Sequence, residues 1–240
     1  MNAGQFAEAD GLQSSSAFAA EHRKEGADMS DRPQSTTEEI ANSISHGLGF
    51  LLALAAAPVL IVASAQQGHT ANIVGACVFA ATMVLLYLSS AVYHAAPPSP
   101  AKRLYAKLDH SAIYLFIAGS YTPFALGALA GVWGWTLFGL VWGLAAIGLA
   151  LKTLGKLSHP LLSTGLYLVM GWLVVIAAVP LLERVSPAGV AWLFAGGVAY
   201  TAGVAFYLTD ARLKFGHFVW HLFVMTGTTC HFFAVLWYAA

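Results

Sequence analysis

From residue 43 to the end, the sequence is a series of apolar runs separated by short breaks rich in glycine, proline or polar residues. A helix rising 1.5 Å per residue needs about 20 residues to cross a bilayer core, whereas a barrel strand needs only about 9–11 alternating residues. The pattern therefore predicts an all-α integral membrane protein, a seven-transmembrane helix bundle. The predicted spans cover residues 43–65, 71–93, 108–129, 133–151, 161–181, 188–208 and 216–238.

The beginning of the chain has a different character. Residues 1–39 contain 11 of the 22 charged residues, and up to about Pro33 they show no apolar periodicity. This composition is typical of disordered segments. We therefore predict a disordered cytoplasmic tail with a lead-in segment over residues 1–42, and a membrane domain over residues 43–240. A cleaved signal peptide is not expected, because the tail contains no apolar run ending in small residues.

The composition argues against a soluble domain, a nucleic-acid-binding protein and a fold held by cysteines. Apolar residues make up 58% of the 240 residues and charged residues 9%, against about 45–50% and about 25% in soluble domains. The net charge is zero, which gives nucleic-acid binding no electrostatic support. The two cysteines, Cys77 and Cys230, supply neither a disulfide framework nor a metal-binding CxxC pair.

Lysine and arginine predict the orientation of the bundle. With the N-terminus in the cytoplasm, ten of the eleven basic residues lie in the tail or near cytoplasmic loops, and Arg184 alone lies outside. Cytoplasmic loops of membrane proteins carry such an excess of positive charge. We expect a cytoplasmic N-terminus and an external C-terminus.

Polar side chains concentrate where three predicted spans reach the cytoplasmic face. They are Ser90 and His94 at the end of the second span, Asp109 and His110 at the start of the third, and His217 and His221 at the start of the seventh. Lipid exposure of ionisable groups is costly, so such groups are candidates for function. Their common depth predicts that the three helix ends converge on one site.

The histidine spacing is compatible with a metal centre. His217 and His221 are four residues apart, a spacing that lets two imidazoles of one helix reach a single ion. His94, at the same depth, would supply a third ligand, and three imidazoles with one open position form a known catalytic zinc shell. Asp109 would then bind the metal, hold its water or act as a base.

Each of these residues also has a simpler interpretation. Interfacial histidines often only hydrogen-bond loop carbonyls. Asp109 at a helix start would be an N-cap, and Ser90 is a residue common in membrane helix packing.

Other residues carry weaker expectations. His231 lies about 15 Å deeper than His221, so it cannot share the metal and is expected to be a hydrogen-bonded histidine lining the interior. Glu39 and His46 are candidates for residues that support the ligands. Gly139 and Gly143 form a GxxxG pattern that allows a homodimer. Three further histidines are expected to be solvated: His22, His69 and His159.

Five short motifs can be compared with known families. They are EIANSISHG at 39–47, SSAVYH at 89–94, LDHS at 108–111, GSYTP at 119–123 and HFVWH at 217–221. Over residues 37–240 the chain resembles the hemolysin III family. That family belongs with the progestin and adiponectin receptors and, more distantly, with the alkaline ceramidases in the CREST superfamily.

The resemblance implies seven helices, a cytoplasmic N-terminus and a zinc ion (Zn2+) near the inner face, held by His94, His217 and His221. It implies that Asp109 contacts the zinc-bound water and that Ser90 is the superfamily serine, so these two are the candidate catalytic residues. The expected location is the cell membrane, as a multipass protein of the bacterial inner membrane.

Three functions follow as hypotheses. The first is a ceramidase-like, zinc-dependent hydrolase of lipid amide or ester bonds, with membrane lipids as substrates and Ser90 bonding the developing oxyanion. The second is a non-enzymatic regulator of membrane-lipid homeostasis, or a cytolytic protein, with structural zinc. The third is a transporter or proton pathway through His231, ranked last because no other helix offers a charged partner at mid-depth.

Overall fold

A computed structural model describes residues 32–157 and 159–239 and confirms the all-helical class, with no strand in these residues. Residues Gln34–Ala240 form one compact unit. The tail predicted for the start of the chain lies, up to residue 31, outside the described residues, as does His22.

Eight α-helices and one short 3-10 helix make up the described part of the chain. They are α1 (Thr36–Gln66), α2 (Thr70–Ala95), α3 (Pro100–Leu126), α4 (Val132–Thr153), α5 (Pro160–Gly171), the 3-10 helix (Leu173–Ala177), α6 (Ala178–Arg184), α7 (Pro187–Leu208) and α8 (Gly216–Tyr238). The breaks predicted between the apolar runs all separate helices.

Helix α1 begins earlier than the apolar run that predicted it. Ser35 caps it, and its hydroxyl accepts a hydrogen bond from the Glu38 amide while the Glu38 carboxylate accepts one from the Ser35 amide at 3.0 Å. This reciprocal capping box satisfies amides that the first helical turn leaves free. Glu38 and Glu39 therefore lie on a helix and not in a connecting segment.

Helix α3 also begins early, and this corrects the N-cap interpretation of Asp109. The cap is Ser99, whose hydroxyl accepts from the Lys102 amide at 3.2 Å, and Pro100 occupies the first helical position. Proline is favoured there because its missing N–H would have no partner in the helix. Asp109 consequently lies well inside α3 and caps nothing.

The fifth predicted span is not one continuous helix. It changes from α5 to the 3-10 helix after Gly171 and returns to α-geometry in α6. The hydroxyl of Tyr121, on α3, donates to the carbonyls of Met170 and Gly171 at 2.9 and 2.7 Å and accepts from the Val174 amide at 3.0 Å. Backbone groups at membrane depth require such internal partners, because lipid offers none.

Six elements are long and apolar enough to cross a membrane: α1, α2, α4, the segment Pro160–Arg184, α7 and α8. Helix α3 is not among them, because polar residues such as Asp109, His110 and Tyr121 lower its mean hydropathy. It contacts α2, α4, α5 and α8, and a helix surrounded by other helices needs less apolar surface than one facing lipid. The count of seven spans and the sides of the two termini stay predictions.

The outer surface of the bundle is apolar. Large side chains of α1, among them Ile44, Leu51 and Val62, are more than half exposed. Such a surface is suited to hydrocarbon and not to water. On α4, an added methyl group at Gly139 or Gly143 would meet nothing within 4 Å, so this face is open, and the homodimer suggested by these glycines stays a prediction.

Hydrogen bonds join Glu39 on α1 to His94 on α2, and Glu38 on α1 to Phe215 just before α8. The start of α1, the end of α2 and the start of α8 therefore lie together. We call this the histidine end of the bundle. The loop charges predict that it faces the cytoplasm.

We expect Tyr121→Phe to lower the free energy of unfolding by about 1–3 kcal/mol, because three backbone groups lose their shared partner. Thermal unfolding of the detergent-purified protein measures the change. Tyr105→Phe is the matched control, since the Tyr105 hydroxyl makes no hydrogen bond in the described part of the chain. Equal destabilisation by both variants would contradict the assigned role of Tyr121.

Candidate metal centre

Three histidines from two helices meet at the histidine end. One donor atom of each of His94, His217 and His221 lies within 4.8 Å of the others. The ring centroids are 5.0 Å apart for His94 and His217, 5.1 Å for His94 and His221, and 4.8 Å for His217 and His221. The structure thus brings together the three residues that the sequence predicted to converge.

In each of the three rings, Nδ1 is hydrogen-bonded to a neighbouring side chain. The pairs are His94 with Glu39 Oε2 at 2.7 Å, His217 with Asp210 Oδ2 at 2.8 Å, and His221 with Ser45 Oγ at 3.0 Å. Residues that bond the second nitrogen of a metal-binding histidine fix its tautomer and ring orientation. The arrangement leaves Nε2 of each ring as the free ligand atom.

The free nitrogen of His94 is the observation that tests whether a metal fits. Its Nε2 is buried and has no hydrogen-bond partner in the described part of the chain. A buried polar atom without a partner is uncommon and needs an explanation, such as an ion. A divalent cation that prefers imidazole, zinc among others, suits this set of donors.

Glu39 is itself held in place. Its second oxygen, Oε1, accepts from the Lys102 ammonium at 2.9 Å, and Lys102 also donates to the Ala96 carbonyl at 2.9 Å. The chain of contacts joins α1, the end of α2 and the start of α3. Lys102 therefore fixes the carboxylate that orients His94.

The start of α8 is set by a backbone turn. Phe215 has a φ of 60°, in the left-handed region, and its amide donates to Glu38 Oε1 at 2.8 Å. At Gly216, an added Cβ would lie 2.9 Å from the Cα of Asp210. Only glycine lets the loop fold back this closely, and the fold-back brings Asp210 to His217.

His46 packs against the site but is not placed to bind an ion there. Its ring stacks on His221 with centroids 3.5 Å apart and planes 10° apart. Imidazole binds a metal in the plane of its ring, at about 2.0–2.1 Å for zinc. An ion in the plane of His221 would thus be out of reach of His46, which supports the His221 ring by packing.

Ser90 and Asp109 lie beside the histidines. Both side chains are buried. They line a cavity of about 130 Å³ together with His217 and His221. Asp109 is outside the group of close donor atoms. Of the three roles considered for it, holding the metal-bound water or acting as a base therefore suits the geometry better than binding the metal directly.

The cavity continues away from the histidines along the bundle. Tyr121, Trp172 and His231 line it, and they also line a second, almost wholly apolar cavity of about 280 Å³. The walls of the second cavity include Phe124, Leu181 and other apolar side chains. Together the two cavities offer a mainly hydrocarbon environment beside a polar centre.

The other histidines considered in the sequence lie outside the group of three. His110 lines the first cavity, and its carbonyl accepts from the Tyr167 hydroxyl at 2.8 Å. His231 pairs through Nε2 with the Leu193 carbonyl at 3.3 Å and is outside the metal-binding group, as expected. His69 and His159 are exposed, which confirms that interpretation.

Two residues that orient the histidines were missed from the sequence. Asp210 lies in a loop read only as a break, and Ser45 is a small hydroxyl residue in an apolar helix. The sequence feature that could have identified Asp210 is its position in the short loop just before the HFVWH motif. Nothing in the sequence distinguishes Ser45 from Ser43, which instead donates to the Ala91 carbonyl.

Comparison with known proteins identifies relatives over most of the chain. The model of a family described as Haemolysin-III related matches residues 34–232. The chain is 46% identical to the Hemolysin-3 homolog of Bacillus subtilis (strain 168) over 201 residues, which are 84% of this chain and 94% of that protein. It is 41% identical to Hemolysin-3 of Bacillus cereus over 210 residues, 88% of this chain and 95% of that one.

A more distant relative is the human monocyte to macrophage differentiation factor, 33% identical over 131 residues, which are 53% of this chain and 52% of that protein. No solved structure gives a significant match.

We expect Glu39→Gln to weaken the binding of added zinc about 10- to 100-fold, because His94 loses a charged partner for Nδ1. Competition of the purified protein with a chromophoric chelator measures the affinity. Glu183→Gln, at an exposed glutamate on α6, is the matched control and should leave affinity unchanged. Unaltered affinity in Glu39→Gln would refute the assigned role.

Proposed function

The chain belongs to the Haemolysin-III related family of multipass membrane proteins, and we propose that it hydrolyses amide or ester bonds of membrane lipids with a zinc ion held by His94, His217 and His221. One observation carries the proposal. The rings of His217 and His221 line a cavity that also contains Ser90 and Asp109, and His94, whose buried Nε2 has no partner in the described part of the chain, completes the close group of three imidazoles.

A zinc ion bound by three imidazoles supplies Lewis acidity, which polarises a carbonyl and lowers the pKa of water toward about 7. The chain's own part begins with orientation. Glu39, Asp210 and Ser45 hold the Nδ1 atoms, so the rings reach the metal already in position and lose little freedom on binding it.

Asp109 is the proton acceptor in this proposal. Its carboxylate is buried within the same cavity and would take the proton from the attacking water, then return it to the leaving amine or alcohol.

Ser90 assists in two stages. In the resting site its hydroxyl would donate to the Asp109 carboxylate and hold it in place, since both side chains line the same cavity. Once Asp109 carries the proton, the carboxyl group can donate to Ser90, and the Ser90 hydroxyl is free to donate to the developing oxyanion of the substrate.

The cavities favour a lipid substrate. The polar groups lie at the histidine end, and the adjoining apolar cavity suits an acyl chain. A bilayer lipid presents its amide or ester bond near the membrane surface, with hydrocarbon on one side. We propose that the histidine end faces the cytoplasm of a bacterial inner membrane, in agreement with the loop charges.

The alternative is a non-enzymatic lipid regulator or cytolytic protein in which zinc is structural. Structural zinc sites are closed, whereas catalytic ones keep an open position. The cavity beside His217 and His221 is the feature that favours the hydrolase.

We expect Asp109→Asn to lower fatty-acid release at least about 100-fold, the usual effect of losing a general base, while zinc content stays at the wild-type level. Mass spectrometry of lipids incubated with purified protein in vesicles measures release, and elemental analysis measures zinc. Full activity in Asp109→Asn would remove Asp109 from the mechanism.

The histidine ligands have a separate test with its own control. His94→Ala should lose both zinc and fatty-acid release, and His159→Ala, at an exposed histidine, should keep both. If wild-type protein with bound zinc releases no fatty acid from a panel of amide- and ester-linked lipids, the hydrolase proposal fails and the structural-zinc alternative stands.

A further inference from the structure

His231 lies in the middle of α8 at the junction of the two cavities and lines both of them. It is ten residues after His221, which places it about 15 Å further along the helix. Polar side chains at membrane depth are costly, and those that are present are candidates for function. The imidazole at this apolar level of the helix therefore calls for a reason.

The tautomer of His231 follows from its one hydrogen bond. Nε2 faces the carbonyl oxygen of Leu193 at 3.3 Å, and a carbonyl can only accept, so Nε2 carries the proton. In a neutral imidazole the other nitrogen is then an acceptor. Nδ1 therefore holds a lone pair, and it makes no hydrogen bond in the described part of the chain.

This hydrogen bond does not explain the histidine. Leu193 lies inside α7, where its carbonyl already accepts a bond within the helix. The ring is accommodated by Gly196, because an added Cβ there would collide with it. The position is thus shaped around an imidazole that the fold does not need for its own hydrogen bonding.

The other polar groups at this level of the cavities are paired within the protein. The Tyr121 hydroxyl is occupied by three backbone groups. Trp172 donates to the Thr201 hydroxyl at 3.0 Å, which donates to its own helix. The Tyr200 hydroxyl pairs with Thr228 at 3.0 Å. Among these residues, Nδ1 of His231 is left as the acceptor for a ligand.

We propose that His231 is a specificity-determining residue that accepts a hydrogen bond from a hydroxyl group in the middle of a lipid acyl chain. The proposal relies on the proposed function only for the direction of the lipid, with its carboxyl end at the three histidines. An acyl chain running from that end along the cavities passes His231 about 15 Å further on. A hydroxyl is the small lipid group that donates to Nδ1 while adding little bulk.

Binding of free fatty acids tests this independently of turnover. We expect wild-type protein to bind 12-hydroxyoctadecanoic acid about tenfold more tightly than octadecanoic acid, since a site with an unpaired acceptor discriminates against a ligand that cannot pair with it. Displacement of a fluorescent fatty acid from the zinc-loaded, detergent-purified protein measures both affinities. 2-Hydroxyoctadecanoic acid, with its hydroxyl beside the carboxyl group, should gain no such preference.

Two variants separate the hydrogen bond from packing. His231→Phe keeps a planar ring beside Gly196 but removes the acceptor, so the preference should disappear while zinc content is unchanged. His231→Gln keeps one donor for the Leu193 carbonyl and one acceptor, so it should retain most of the preference. If the phenylalanine variant does not fold, His231→Leu makes the same comparison.

Several results would overturn the proposal. They are equal binding of the two acids by wild-type protein, a preference that persists in His231→Phe, or an equal preference for the 2-hydroxy acid. Equal binding of the two acids would indicate that Nδ1 hydrogen-bonds only a water molecule. A clear preference without fatty-acid release from any lipid would refute the hydrolase but leave this site standing, whereas lipid hydrolysis without a preference would refute this site alone.

Discussion

The structure depends first on how three imidazole rings are held at one end of a bundle surrounded by lipid. Each ring is fixed through Nδ1 by a residue from another part of the chain: Glu39 and Ser45 come from α1, and Asp210 comes from the loop before α8. With these bonds in place, one donor atom of each ring lies within 4.8 Å of the others. Without them, the flexible side chains would have to be ordered by the metal alone, and its affinity would fall accordingly.

The second constraint is the environment of α3. A helix facing hydrocarbon must be apolar, but α3 is enclosed by α2, α4, α5 and α8. It can therefore carry Asp109 next to the histidines and Tyr121 at the break after α5. The polar residues that keep α3 out of the set of membrane-spanning candidates are the same ones that build the cavity wall. The enclosed environment of α3 thus accounts both for its low hydropathy and for the polar side chains that it carries at the candidate site.

Much of this arrangement could be predicted from the sequence, because long apolar runs and their breaks are strong signals. The convergence of His94, His217 and His221 also followed, since helix direction places their ends at a common depth. The start of α3 was missed because Lys102, Arg103 and Lys107 read as a loop, although an amphipathic helix end is compatible with them.

The break after Gly171 was missed because it depends on Tyr121, a residue 50 positions earlier. Asp210 was missed because a loop residue gains its partner only through the backbone turn at Phe215 and Gly216. In each case the deciding contact lies between distant parts of the chain.

The pairing of the first and last helices has a consequence for biosynthesis. Ser45 and Glu38 on α1 contact His221 and Phe215 near the C-terminal end of the chain. The candidate metal centre therefore stays incomplete until α8 has left the translocation machinery and docked beside α1. A metal ion held by the three histidines would thus be bound late in maturation, and a product lacking α8 carries neither His217 nor His221.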